Sequence, residues 1–226
     1  MASKNSVKSY ISLGYYHLYN RGVEKRTIFA DGQDYSVFLK YLKEYLQPKD
    51  EKALYEKLSK ENLGWSEKSE VLRLLRLNNF HGEISLLVYA LMPNHFHFLV
   101  KQNSSMSIDK FTNSLLTRYA TYFNRRHGRI GGLFQDVYKA VLIQSEEQLL
   151  HLSRYIHRNP LDLPEGRDYQ KKFTSLPDYL REKKTDWVQS QEILTYFSKK
   201  DPRNSYLSFV EETDNLELLK AISLET

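Results

Sequence analysis

Two histidines stand on alternate positions of an apolar run, LMPNHFHFLV, residues 91–100. In an extended strand successive side chains point to opposite faces, so His95, His97 and Leu99 share one face and Phe96, Phe98 and Val100 the other. Two imidazoles on one face can share a single metal ion. The alternative is a pair of satisfied strand histidines, although burying both without partners is costly. The chain has no cysteine. Disulfides, thiolate zinc sites and thiol catalysis are therefore excluded, and any further ligands must come from elsewhere in the chain.

A second group with chemical potential lies in SEEQLLHLSRYIHRNP, residues 145–160. Ser145 and Gln148 match a capping box, and Pro160 ends the segment, so it reads as a helix. His151, Tyr155 and Asn159 fall at i, i+4 and i+8 and form one stripe. Leu149, Leu152 and Ile156 form a neighbouring apolar stripe able to dock on a sheet. Asn159 can offer a side-chain carbonyl oxygen to a cation, and Tyr155 a phenolate nucleophile. The plainer reading is a packing tyrosine and a helix-ending Asn-Pro. The chain has 17 tyrosines, so a choice among them needs a reason. Tyr119 and Tyr122 share the apolar stripe of their own helix and are core candidates, and Tyr138 belongs to a strand. Tyr155 is the one paired at one helical turn with a plausible metal ligand.

The elements that must position these groups are legible in outline. Residues 12–22 read as a strand running into a loop, and residues 33–46 as a helix stopped by Pro48. Residues 83–92 and 95–100 form a hairpin joined at Pro93-Asn94. Residues 107–128 form a long helix closed by Gly128, and residues 136–144 a further strand. Residues 49–80 mix 7 basic and 6 acidic side chains with leucines and read as a charged helical insertion. Residues 161–226 read as loops and short helices. Hairpin-linked strands interleaved with helices predict an α+β fold, a mostly antiparallel sheet with helices on one face. The 226 residues suffice for one sizeable domain with an appendage, and 41% hydrophobic content supports a real core. No apolar run approaches the roughly 18 residues that span a bilayer, and the N-terminus lacks an apolar signal core, so a cytoplasmic protein is expected.

Charge is unevenly spread. Residues 1–160 carry 23 Lys and Arg against 15 Asp and Glu, whereas residues 161–226 carry 10 against 13. The basic excess thus accompanies the histidine pair. It suits a polyanion such as nucleic acid, and equally ordinary solubility charge.

Four motifs, YHLYNRGVEKRTIF (16–29), LMPNHFHFLV, RYATYFNRRHGRIGGLFQ (118–135) and LSRYIHRNPL (152–161), occur in an order and spacing that resembles the single-tyrosine HUH transposases, the IS200-like family. The asparagine within a YI-x-x-NP run is similar to the REP-associated branch. Insertion-sequence members usually carry glutamine there. The resemblance implies a ferredoxin-like or RRM-like core over residues 1–160, with the insertion at about 49–80, and a C-terminal helical extension over 161–226. It implies that His95, His97 and Asn159 hold Mg²⁺ or Mn²⁺ and that Tyr155 attacks the scissile phosphate of single-stranded DNA beside a hairpin, giving a 5′-phosphotyrosine. His151 is a possible assisting base. Arg21, Arg26, Arg118, Arg125, Arg126 and Arg129 are expected to grip DNA, with Tyr16 and Phe29 stacking on unpaired bases. Phe134 stands where the family often has tryptophan, and Val137 lies near a position that is often basic. A monomer is expected, with a domain-swapped homodimer as the other arrangement. The competing functions are a replication-initiator or relaxase nickase and a non-catalytic hairpin-binding module.

Overall fold

The computed structural model describes residues 10–212. Residues 213–226 of the expected extension, and the extreme N-terminus, lie outside the described residues. Four strands form one sheet: β1 Tyr15–Arg21, β2 Ile84–Met92, β3 His95–Gln102 and β4 Lys139–Ile143. Every pairing is antiparallel and the order is β2-β3-β1-β4. With helix α1 (Gly32–Leu46) between β1 and β2 and α4 (Ser107–Arg126) between β3 and β4, the sequence of elements is β-α-β-β-α-β, the ferredoxin-like arrangement.

Local chemistry sets these elements. Asp31 caps α1, its carboxylate accepting from the Gln33 and Asp34 amides. The helix ends at Leu46 because Gln47, which precedes Pro48, is extended. Gly128 takes a φ of 61° just past α4 and lets the chain turn away. The insertion forms α2 (Glu51–Leu58) and α3 (Trp65–Arg76); α2 buries no residue and α3 buries Val71. It is a solvated helix pair, as its charge density predicts.

Period-two alternation divides the sheet between two cores. Leu18, Phe96, Phe98 and Val100 pack with Phe38, Leu42, Phe111, Leu115 and Tyr119 of α1 and α4. The opposite face carries Val88, Ala90, Leu99 and Ile143. There α5 (Glu146–Arg158) docks through Leu149, Leu152 and Ile156, the stripe its sequence marks out. The remaining helices, α6 Gly166–Phe173, α7 Leu176–Tyr179, α8 Gln191–Leu194 and α9 Pro202–Glu211, form the C-terminal extension. Of these, α7 to α9 complete the roof over that second face through Tyr179, Ile193 and Tyr206. The sheet is therefore covered on both sides: by the core helices α1 and α4 on one, and by α5 with the extension on the other.

A directed hydrogen-bond chain fastens that roof. The Tyr89 amide of β2 donates to Ser175 Oγ (2.9 Å), which lies 2.8 Å from His157 Nε2 on α5. On the other side of the ring, His157 Nδ1 lies 2.7 Å from the Tyr206 hydroxyl of α9, which donates to Ser153 Oγ. Ser153 donates on to the Leu150 carbonyl at 2.7 Å. The Tyr206 proton is committed to Ser153, so His157 donates from Nδ1 to Tyr206, and as a neutral imidazole it accepts at Nε2 from Ser175 Oγ. Complete burial pushes its pKa down from 6.5 to about 3. The unfolded chain therefore takes up this proton first as pH falls. Stability is full above about pH 6.5 and declines toward pH 3, by about 1.4 kcal/mol per pH unit for this group. Urea titrations between about pH 7 and pH 4 should give a shallower dependence of stability on pH in His157→Gln, by about that amount. Equal slopes would mean that His157 titrates alike in the folded and unfolded chains.

Candidate active site

The histidine pair sits at the mouth of the β2–β3 hairpin, whose tip is stitched to the loop after β1. Gly22 N donates to the Asn94 carbonyl (2.8 Å), and Ile28 N and Phe29 N to that of Pro93 (2.8 and 3.1 Å). Gly22 admits no side chain, since a Cβ there would lie 2.2 Å from the Arg26 carbonyl oxygen. Asn94 Nδ2 donates to the Lys25 carbonyl at 3.2 Å, which leaves its Oδ1 facing His95 Nδ1 at 2.6 Å. A carbonyl oxygen only accepts, so His95 donates from Nδ1 and presents a lone pair at Nε2.

That lone pair faces the side-chain oxygen of Asn159, 3.3 Å away. Asn159 is placed by α5, its helical backbone (φ −46°, ψ −41°) carrying the helix one residue past Arg158 with its amide bonded to the Tyr155 carbonyl. His97 follows on the same sheet face, its ring 4.9 Å from that of His95 and nearly perpendicular to it. The Tyr155 ring meets His97 edge-on at 5.6 Å. The structure thus brings His95, His97, Tyr155 and Asn159 together across the gap between strand β3 and helix α5.

One member was not anticipated from sequence. His17 of β1 is fully buried, with Nε2 2.9 Å from His97 Nδ1. Its ring meets that of His97 edge to edge, with centroids 5.1 Å and planes 24° apart, and lies edge-on to Tyr155 at 6.4 Å. Neighbouring Tyr19 packs on both imidazoles, and burial raises its pKa. The signal was present in YYHLYNR, where Tyr15, His17, Tyr19 and Arg21 alternate onto one face. What carries His17 to His97 is the β1–β3 register, in which Tyr19 pairs with His97 and Arg21 with His95. A single sequence does not contain that register.

The other expected residues divide. His151 has its Nδ1 engaged by an Arg154 N–H at 2.8 Å, and its ring lies 5.8 Å from Phe209 of α9. Arg21 sits beside His95 in the sheet and donates from Nε to Gln135 at 2.6 Å. Arg26 bonds the Val23 carbonyl and approaches Glu24 at 3.8 Å. Arg129 is held by Asn124 at 2.8 Å. Arg118, Arg125 and Arg126 belong to the layer on the other side of the sheet, where with Tyr41 and Tyr122 they line an open cavity of about 800 Å³. There Arg118 pairs with Glu44 and stacks 3.6 Å over Tyr41. Arg126 is clamped by Asp31 and the fully buried Asp34 at 2.7 and 2.5 Å. Arg125 is exposed, and among the described residues no carboxylate pairs with it. The expectation that Tyr16 and Phe29 stack on bases is overturned: both are 2% exposed. Tyr16 lies in the core on the α1–α4 side and accepts from Ile11 N, and Phe29 is wedged between Tyr35 and Phe38.

The donor set fits a divalent cation. In the neutral state, His95 Nε2 and Asn159 Oδ1 are two lone pairs facing each other at 3.3 Å. Adjacent ligands of an octahedral ion with bonds of about 2.1 Å stand roughly 3 Å apart. Among the described residues no three His, Asp or Glu side chains are grouped to hold a metal. His97 lies beside this pair, its ring 4.9 Å from that of His95, and His17 stands behind His97.

Comparison with known proteins agrees with the sequence motifs. A family model described as "Transposase IS200 like" matches residues 64–159, a span that includes His95, His97, Tyr155 and Asn159. No curated protein matches the chain. Among solved structures, a REP-associated tyrosine transposase bound to a REP hairpin aligns at 10% identity with a TM-score of 0.44, over 82% of this chain and 96% of that one. A tRNA(His) guanylyltransferase from Saccharomyces cerevisiae aligns at 11% identity with a TM-score of 0.32, over 98% and 81%. Among the described residues no helix is long and apolar enough to cross a membrane. Over residues 64–159, the chain is similar to the IS200-like transposase family.

Proposed function

We propose that this protein is a metal-dependent transposase of single-stranded DNA that cleaves and rejoins strands beside hairpins, with Tyr155 as nucleophile. The observation that carries the reading is the meeting of two elements. Helix α5 brings a phenol and an amide oxygen one turn apart to a strand face bearing two imidazoles. The proposed ligands are His95, His97 and Asn159. A divalent ion held there supplies Lewis-acid stabilisation of charge on the scissile phosphate. Nitrogen donors favour Mn²⁺, whereas Mg²⁺ is suited to oxygen donors.

The chain's own groups do the rest. The Tyr155 oxygen attacks phosphorus, the phenolic proton passes to solvent, and the bond to the 3′ oxygen breaks. That oxygen leaves as a 3′-hydroxyl after taking a proton, and the 5′ phosphate stays on Tyr155. A later 3′-hydroxyl can reverse the exchange, because a phosphodiester is conserved at each step. His151 is poorly arranged to take the phenolic proton: its basic Nδ1 already accepts from Arg154. Ligating imidazoles must be neutral, so acid should weaken metal binding and with it activity. The fastening of α5 by the extension of the same chain favours a site built within one monomer.

The test is direct. The protein is incubated with labelled single-stranded hairpin DNA and Mn²⁺, denatured, and the adduct digested and mapped by mass spectrometry. A phosphotyrosyl adduct on the peptide containing Tyr155 supports the reading. Tight hairpin binding with no adduct at any metal concentration would replace it with a binding module.

DNA contacts divide in the same way. Arg21, next to His95, is proposed to grip the strand at the site. Arg21→Ala should weaken single-strand binding and reduce the slope of log affinity against log salt by about 0.7, one phosphate contact. Arg118→Ala should leave that slope unchanged, because Glu44 already matches its charge. Binding isotherms at four or five salt concentrations distinguish them.

A further inference from the structure

The proposed ligands need more than proximity. Each imidazole must keep its proton on Nδ1 so that Nε2 presents a lone pair. For His95 the side-chain oxygen of Asn94, itself fixed by the Lys25 carbonyl, achieves this. For His97 the partner at Nδ1 comes from the adjacent strand β1. His97 Nδ1 faces His17 Nε2 at 2.9 Å. Between two neutral imidazoles at this separation, one nitrogen donates and the other accepts.

We infer that His17 is a positioning residue: its Nε2 accepts the Nδ1 proton of His97, fixing the tautomer and ring orientation that make His97 a metal ligand. The inference rests on the proposed metal site and adds a residue which that proposal does not contain. Three features support it. His17 is fully buried and His97 is 2% exposed, so water competes poorly for this contact. The two rings meet edge to edge with their planes only 24° apart, as an in-plane hydrogen bond requires, and Tyr19 packs on both. Three side chains in ring contact, His17, His97 and Tyr155, come from β1, β3 and α5, so displacing His17 also disturbs the wall beside the nucleophile. Partners of this kind, lying behind a ligating histidine, typically alter metal affinity by 10- to 100-fold when removed.

Two measurements test it. The first uses the unaltered full chain, ¹⁵N-labelled at histidine and free of metal, near pH 8. Long-range ¹H–¹⁵N correlation spectra should show His97 protonated at Nδ1 and His17 protonated at Nδ1 with a bare Nε2. A proton on His97 Nε2 would overturn the inference. The second compares Mn²⁺ affinity, by electron paramagnetic resonance, in His17→Gln, His17→Phe and His95→Ala. Gln can return an acceptor oxygen near the Nε2 position, whereas Phe keeps the ring and removes the acceptor. Affinity should fall about 10- to 100-fold in His17→Phe and stay within about threefold in His17→Gln. Wild-type affinity in His17→Phe, with affinity lost in His95→Ala, overturns the role of His17 and spares the metal site. Unchanged affinity in His95→Ala overturns the metal site itself. If His17→Phe does not fold, the tautomer measurement decides alone.

Discussion

Tyr155→Phe should abolish the covalent protein–DNA adduct, by about 10³-fold or more in rate, while hairpin binding stays within about twofold. The substitution removes one oxygen. The ring that packs edge-on against His97 and His17 remains, so the pocket keeps its shape. Loss of adduct with binding and Mn²⁺ affinity retained would isolate the nucleophile from the grip. Asn159→Ala should act differently, weakening Mn²⁺ binding and slowing adduct formation until metal is raised. Were an adduct to persist in Tyr155→Phe, the nucleophile would have to be another phenol, and the structure disfavours those nearest in sequence logic. Tyr119 is fully buried, donates to the Ile28 carbonyl, and has its pKa pushed far up by desolvation. Tyr122 donates to Asp34, and its pKa is raised to about 12 by desolvation and by that bond. Both lie with α4, across the sheet from the imidazoles. A quench-and-gel time course with wild type and the two variants gives the comparison.

How far such a site can be read from sequence depends on where its geometry is stored. The β3 face and the α5 stripe are local periodicities. Alternation puts His95 and His97 together, and four-residue spacing puts Tyr155 above Asn159. The docking stripe Leu149, Leu152 and Ile156 was legible for the same reason, and so were the hairpin turn at Pro93-Asn94 and the proline stop after α1. What was not legible is nonlocal. His17 reaches His97 only through strand register. The fate of the arginines depends on which acids fold beside them: Arg118 and Arg126 meet Glu44, Asp31 and Asp34 from α1 and its cap. Tyr16 and Phe29 are expected from the motifs to stack on unpaired bases, yet tertiary packing takes both into the core. The extension's role as the roof of the second core was also hidden, because its short helices carry scattered aromatics and not a sustained period.

That roof leads to the second large effect. Tyr206→Ala should cost about 3–5 kcal/mol of stability. The Tyr206 ring is fully buried, stacked on Tyr179 at 4.6 Å and edge-on to Phe197 and His157 at 5.0 and 5.7 Å. Truncation leaves a large cavity and takes the acceptor from His157 Nδ1, which water does not reach. Tyr206→Phe keeps the ring and loses only the hydroxyl, so its cost should be about 1–3 kcal/mol. Single domains hold only about 5–15 kcal/mol in total, so the alanine variant should be marginal at room temperature. Urea denaturation followed by tyrosine fluorescence and circular dichroism measures both. The consequence reaches the site because the residues Tyr206 bonds, Ser153 and His157, flank Tyr155 on α5. Loosening them loosens the helix that sets the 3.3 Å approach of Asn159 to His95. Even where Tyr206→Ala stays folded in the cold, its Mn²⁺ affinity should therefore fall, whereas Tyr206→Phe should bind nearly as wild type. A loss below about 1 kcal/mol in Tyr206→Ala, with metal affinity intact, would show that α5 keeps its place on the sheet through Leu149, Leu152 and Ile156 without help from the extension.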